Sequence, residues 1–127
     1  MESTLIDLMN GELRAHHAYL QAAAWAADQG MDGATKFLLH HAAEELEHMH
    51  RFFSYLRELG AKVVFHDLSS KHVNPTNVRN LFVNVAEQER LVTYAIHRAT
   101  DAARQEGDHR TFAGEFVYPV PRRLGHQ

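Results

Sequence analysis

Four polar side chains stand where the hydrophobic pattern of this chain asks for apolar ones. Three long stretches carry apolar residues at three- and four-residue spacing, the period of an amphipathic helix. On a wheel of about 100° per residue, Glu12 falls in the middle of the first stripe, between Leu8 and Tyr19. Glu45 and His48 fall between Leu38 and Phe52 on the second stripe, and Glu89 falls between Val85 and Val92 on the third. A buried carboxylate without a partner is costly, and it shifts its pKa or finds a cation. Three of them meeting in one core repel each other, and no Lys or Arg lies at the centre of these stripes. The cheapest resolution is a pair of metal ions, with Glu oxygens as hard ligands and His48 as the nitrogen, a combination suited to iron or manganese. Di-metal sites in helical bundles combine single Glu residues from two helices with Glu-x-x-His from the others.

Spacing alone carries little weight. Ten Glu and eleven His in 127 residues produce roughly one Glu-x-x-His by chance, and three occur: Glu45/His48, Glu47/His50 and Glu106/His109. Glu47 and His50 point away from the stripe, and Glu106/His109 straddles Gly107 at an expected helix end, so only Glu45/His48 faces the core. A single core-facing Glu is more often satisfied by Tyr, Arg or water than by metal; three carboxylates and a His converging from three stripes reverse that preference. His16 and His41 lie near the stripes, four residues from Glu12 and Glu45, and core hydrogen bonding is favoured over ligation for both. Tyr19 reads as packing, with a phenol placed to sit beside the metals. Glu44, at a stripe edge, suits a solvated role and an outer metal site equally. His40, His50, His66, His72, His97, His109 and His126 read as surface residues, and Met9 and Met49 as packing.

The elements that position these groups have clear stops. The first helix is expected over about 4–29, with Ser3 or Thr4 as N-cap and Gly30 as stop; its stripe is Leu5, Leu8, Tyr19, Ala23 and Ala26. The second spans about 32–59, from an Asp32 cap to Gly60, with Leu38, Phe52, Leu56 and Leu59 inward and Phe37 and Tyr55 on the flank. The third spans about 75–106, with Asn74 as cap, Pro75 in the first helical position and Gly107 as stop. Val78, Phe82, Val85, Val92, Ile96, Ala99 and Ala103 form its stripe. Residues 61–75 have no helical period. About fourteen extended residues reach ~45 Å at ~3.3 Å each, against ~42 Å for a 28-residue helix. The segment can therefore run the length of a bundle and start the third helix parallel to the second. After Gly107 the pattern fails, because Gly114, Pro119, Pro121 and Gly125 forbid a long helix. The fold class expected is all-α: an antiparallel helical bundle with one long crossover, three long helices in a domain over 1–112, and an irregular tail over 113–127.

Composition narrows the function. Hydrophobic residues make up 45% and charged residues 23%, a globular profile with room for one modest core. A net charge of -3 argues against nucleic acid as partner. No apolar run approaches the ~18 residues of a membrane span, and Met1-Glu2-Ser3-Thr4 lacks the order of a signal peptide. Zero cysteines exclude disulfides, iron–sulfur clusters and thiolate zinc, and they fit a cytoplasmic location.

Leu8-Met9-Asn10-Gly11-Glu12-Leu13 through Tyr19, the run Phe37 to Leu56 with Glu44-Glu45-Leu46-Glu47-His48, and Leu81-Phe82 followed by Glu89-Arg90-Leu91-Val92-Thr93 together resemble bacterial non-haem ferritins, over about residues 4–112. The resemblance implies that Glu12 and His48 hold a first iron, that Glu45 bridges to a second iron held by Glu89, and that Tyr19 stands beside the pair. It makes Glu44 a ligand of a third, outer iron. It further implies ferroxidase activity, in which dioxygen takes one electron from each of two Fe(II), and storage of the ferric product as mineral inside a homo-oligomeric shell of 24 subunits. Haem is not expected: the related bacterioferritins place their haem methionine directly after the bridging Glu, where this chain has Leu46. A ferritin would continue after Thr111-Phe112 into a fourth helix bearing a Gln or Glu and another Glu three residues on. Here Ala113-Gly114-Glu115-Phe116-Val117-Tyr118-Pro119 follows. A truncation, a reading-frame change or a tail added in expression is the expected cause, with the second iron left short of a ligand and turnover impaired. Two other readings stand beside this one: a non-catalytic three-helix interaction module, and a rubrerythrin-like di-iron oxygen or peroxide reductase.

Overall fold

The structure, a computed structural model, describes residues 1–68 and 74–107. Three long helices make up its regular structure: α1 (Glu2–Asp28), α2 (Asp32–Glu58) and α3 (Val78–Gln105). Each is followed, after one intervening residue, by a glycine in the left-handed region, Gly30, Gly60 and Gly107, with φ of 74°, 74° and 73°. A side chain is disfavoured in that conformation, so the three stops expected from the sequence are stereochemical. The four-helix bundle is thus represented by three helices among the described residues. The boundary expected at 112/113, the tail, and His72, His109 and His126 lie outside them.

The starts differ from the sequence expectation. Helix α1 begins at Glu2 on Met1, not on a Ser3 or Thr4 cap, and Asp32 is the first residue of α2 rather than its cap. The third helix begins three residues later than expected, with Asn77 as cap and Pro75 buried before it. The Asn77 side chain accepts from the Asn80 N–H at 2.8 Å, and Asn80 in turn accepts from the Thr76 N–H at 3.0 Å. This reciprocal pair satisfies two end amides, which Asn74 and Pro75 cannot do together.

Contacts between the ends set the topology. Gln21, late in α1, donates to Asn74 just before α3, while the N-terminal amine lies 3.9 Å from Glu106 just after it. Helix α3 is therefore antiparallel to α1. Helix α2 is also antiparallel to α1, since α1 meets the segment after α2 near its own start, and α2 and α3 run parallel, joined by the long crossover. Asn10 pins that crossover. Its amide donates to the carbonyls of Ile6 and Val64 at 2.9 and 3.0 Å, and its oxygen accepts from the His66 N–H at 2.8 Å. Asn10 is buried, so Asn10→Ala leaves backbone groups without partners. We expect a loss of about 1–3 kcal/mol and faster amide exchange at His66, measurable by thermal unfolding and hydrogen exchange.

Two apolar clusters hold α1 to α2. One contains Leu5, Met9, Met49, Phe52, Tyr55, Leu56 and Ala61; the other contains Tyr19, Ala23, Ala26, Leu38, Ala42 and Leu81. Met9 and Met49 are packing residues, as expected, and Leu46 packs against the first cluster. Tyr55, expected on the flank, is buried. Burying side chains such as Phe52 and Leu56 contributes about 1.5–3 kcal/mol each. On α3 the outcome is mixed. Leu81, Ile96, Ala99 and Ala103 are buried, but Val78 and Phe82 are each 44% exposed and not core. Among the described residues, helix α3 packs on α1 without a comparable contact on α2, and one edge of its apolar stripe is covered.

Candidate metal centre

Between the two apolar clusters lies a polar layer. Glu12 stands between Met9 and Tyr19 on α1, and Glu45 between Ala42 and Met49 on α2. Both carboxylates are buried, at 2% and 3% exposure. His48, one turn after Glu45, brings its Nδ1 to 3.7 Å from Glu12 Oε1 and 3.6 Å from Glu45 Oε2. On the far side of Glu45, the Glu89 carboxylate of α3 accepts from the Tyr19 hydroxyl at 2.8 Å and lies 3.2 Å from His41 Nδ1.

Two sets of ligand atoms converge. Glu12, Glu45 and His48 place one atom each within 4.8 Å of one another, and so do His41, Glu45 and Glu89. Ligand bonds of about 2.1 Å separate adjacent ligands of one ion by about 3 Å and opposite ones by about 4.2 Å. The Nδ1-to-oxygen distances of 3.6 and 3.7 Å around His48 fall within that range. Oxygen and imidazole donors suit iron, manganese or zinc. The residues therefore fit a pair of ions with Glu45 common to both.

Electrostatics without an ion show what the layer holds instead. Burial, reinforced by neighbouring Glu45, pushes the Glu12 carboxyl up to about 8 against the opposing pull of His48. Burial also pushes Glu45 upward, but hydrogen bonds with His48 and Glu12 outweigh it and bring its carboxyl below the ordinary range. For His48, burial favours the neutral ring, yet the two carboxylates overcome it and raise the imidazole to about 9. Protons thus occupy the layer that ions would neutralise. Tyr19 is pushed up by burial and by the Glu89 carboxylate, so its phenol stays protonated and donates.

Glu12, Glu45 and His48 come together, Glu89 joins Glu45 from α3, and Tyr19 touches Glu89. Glu44 lies outside both sets on the exposed rim, 3.6 Å from His40 Nε2 and 3.8 Å from His41 Nδ1. Glu47 and His50 are exposed, and so are His40, His66 and His97. His16 Nδ1 meets the Ala42 carbonyl at 2.6 Å, the core hydrogen bond expected of it. His41, for which a core hydrogen bond was favoured, places its Nδ1 in the second set with no hydrogen-bond partner among the described residues. Its four-residue spacing from Glu45 was the available signal, but its approach to Glu89 depends on where α3 lies.

A ferritin-like domain model matches residues 2–114. The chain belongs to the ferritin-like family. It is 34% identical over 108 residues to a probable bacterial non-heme ferritin-like protein of Haemophilus influenzae, covering 85% of this chain and 66% of that one. It is 33% identical over 112 residues to a bacterial non-heme ferritin of Escherichia coli, covering 88% and 68%. An open-pore ferritin of Archaeoglobus fulgidus superposes with a TM-score of 0.90 at 25% identity, over 99% of this chain and 77% of its own. A Chlorobium tepidum ferritin gives 0.85 at 28%, over 88% and 69%. This ferritin-like chain spans about two thirds of the length of the curated relatives it matches. It is all-α, as expected, with the crossover in place, and none of the helices among its described residues is long and apolar enough to cross a membrane.

Proposed function

We propose that this chain is a ferroxidase of the iron-storing kind, with Fe(II) and dioxygen as substrates. The observation that carries the reading is the sharing of Glu45 between two ligand sets. Two ions held through one carboxylate are adjacent, so each can supply one electron to the same dioxygen. The balance is two Fe(II), one dioxygen and two protons giving two Fe(III) and hydrogen peroxide. Hard carboxylate oxygens stabilise Fe(III) over Fe(II) and favour the oxidation. Glu12 and His48 hold the first ion, Glu89 the second, and Glu45 bridges; Tyr19 holds Glu89 in position. Glu44, beside His40 and His41 on the rim, is assigned to an outer, weaker iron position. Haem has no role in this scheme, in keeping with Leu46 after the bridging residue.

As partners we propose copies of this chain, up to the 24-subunit shell that the family resemblance implies, without nucleic acid or membrane. The cytoplasm is the compartment proposed, since a cysteine-free chain fits a reducing environment. The interaction-module reading is favoured by one observation, the exposed apolar side chains Phe37, Leu39, Phe82, Leu91 and Tyr94 along α2 and α3. Anaerobic Fe(II) titration tests the main reading: two ions bind per chain, and admitting air consumes one dioxygen per two Fe(II). A chain that binds no Fe(II) above buffer background rejects it.

A further inference from the structure

We infer that His41 is a ligand of the second ion, completing with Glu45 and Glu89 a three-residue set drawn entirely from α2 and α3. The inference rests on the two-ion reading above and supplies the ligand that the sequence leaves wanting on the Glu89 side. His41 and Glu45 are four residues apart on one helix, so they share a face one turn apart. The imidazole is held by rings on two sides. Tyr19 stacks on it with centroids 5.2 Å apart and planes at 29°, and Phe37 lies at 4.8 Å and 59°. Its Nδ1 is buried and has no hydrogen-bond partner among the described residues.

That nitrogen lies 3.2 Å from Glu89 Oε1, at an angle unsuited to a hydrogen bond, and the same oxygen already accepts from Tyr19. A ring nitrogen and a carboxylate oxygen this close without a hydrogen bond between them, with Glu45 within 4.8 Å, have the arrangement of neighbouring ligands on one cation. The resulting centre is nearly symmetric: each ion has one terminal carboxylate, one imidazole and a share of Glu45. The competing arrangement is a plain ion pair of protonated His41 with Glu89 or Glu44.

Anaerobic Co(II) titration, followed by visible absorbance and calorimetry, separates the two. The unaltered chain takes up two Co(II). His41→Ala retains one, within about threefold of its original affinity, and binds the second at least about 100-fold more weakly. His41→Glu, which puts an oxygen donor in place of the nitrogen, recovers the second ion. His48→Ala shows the converse, losing the first ion and keeping the one at His41. The retained ion and unchanged helical circular dichroism show that each variant is folded. A His41→Ala chain that still binds two Co(II) with native affinities overturns the role of His41 and leaves the two-ion reading standing. An unaltered chain that holds fewer than two overturns both.

Discussion

Glu45→Ala empties both ion positions at once. Glu45 is the one residue common to both ligand sets, so its loss leaves Glu12 with His48 and Glu89 with His41 as separate two-ligand remnants. Removing groups that merely support a ligand costs about 10–100-fold in metal affinity, and a shared ligand costs more. We expect both Fe(II) affinities to fall by at least about 100-fold, and oxidation at micromolar iron to become indistinguishable from buffer. Glu47→Ala serves as the control. It belongs to another Glu-x-x-His on the same helix, but its side chain is exposed and pairs with Arg51 outside both ligand sets, so binding and oxidation stay unchanged. The experiment also judges the interaction-module reading: iron binding and oxidation left unchanged by Glu45→Ala together with His48→Ala, while association persists, would favour it.

Metal binding at the Glu12–Glu45–His48 position is expected to depend steeply on pH. Both Glu12, near 8, and His48, near 9, hold protons at neutral pH in the ion-free chain. An ion needs the lone pairs of both, so its binding expels two protons. Affinity therefore rises by up to about 100-fold per pH unit below pH 8, about tenfold between 8 and 9, and levels off above. Calorimetry in buffers of differing ionisation enthalpy counts the protons; a pH-independent affinity between 6.5 and 8 contradicts the proton occupancy described above. The ion-free fold responds in the opposite sense. Both folded-state values lie above the ordinary values of 4.5 and 6.5. Their stabilising contribution is complete below those values and is lost as pH rises through about 8 and 9. Glu45, lowered, contributes in the reverse direction, and its share is lost in acid. Raising the pH from 6 to 9 should lower the melting temperature of the ion-free chain and raise that of the loaded one.

Periodicity and helix stops were legible because they are local. Apolar residues three and four apart define a face, and Gly30, Gly60 and Gly107 end helices through the left-handed conformation each adopts. Glu12, Glu45 and His48 were identifiable because polar groups in the middle of an apolar face need a partner. The length of the segment after Gly60 allowed the crossover, and Asn10, inconspicuous in sequence, ties it down. The start of α3 was misplaced because Asn-Pro is a strong local signal, and the reciprocal Asn77 and Asn80 bonds outcompete it.

From the sequence alone came the three helices, their order and the carboxylates that face inward. Tertiary structure decided which of those groups meet: that Glu45 stands between two sets, that His41 reaches Glu89, that Glu44 stays on the rim, and that Val78 and Phe82 remain part-exposed. The reason is geometric. A helical repeat fixes the direction of a side chain around its own axis, whereas distances between helices depend on how far each slides and turns against its neighbours, which packing across the whole interface sets.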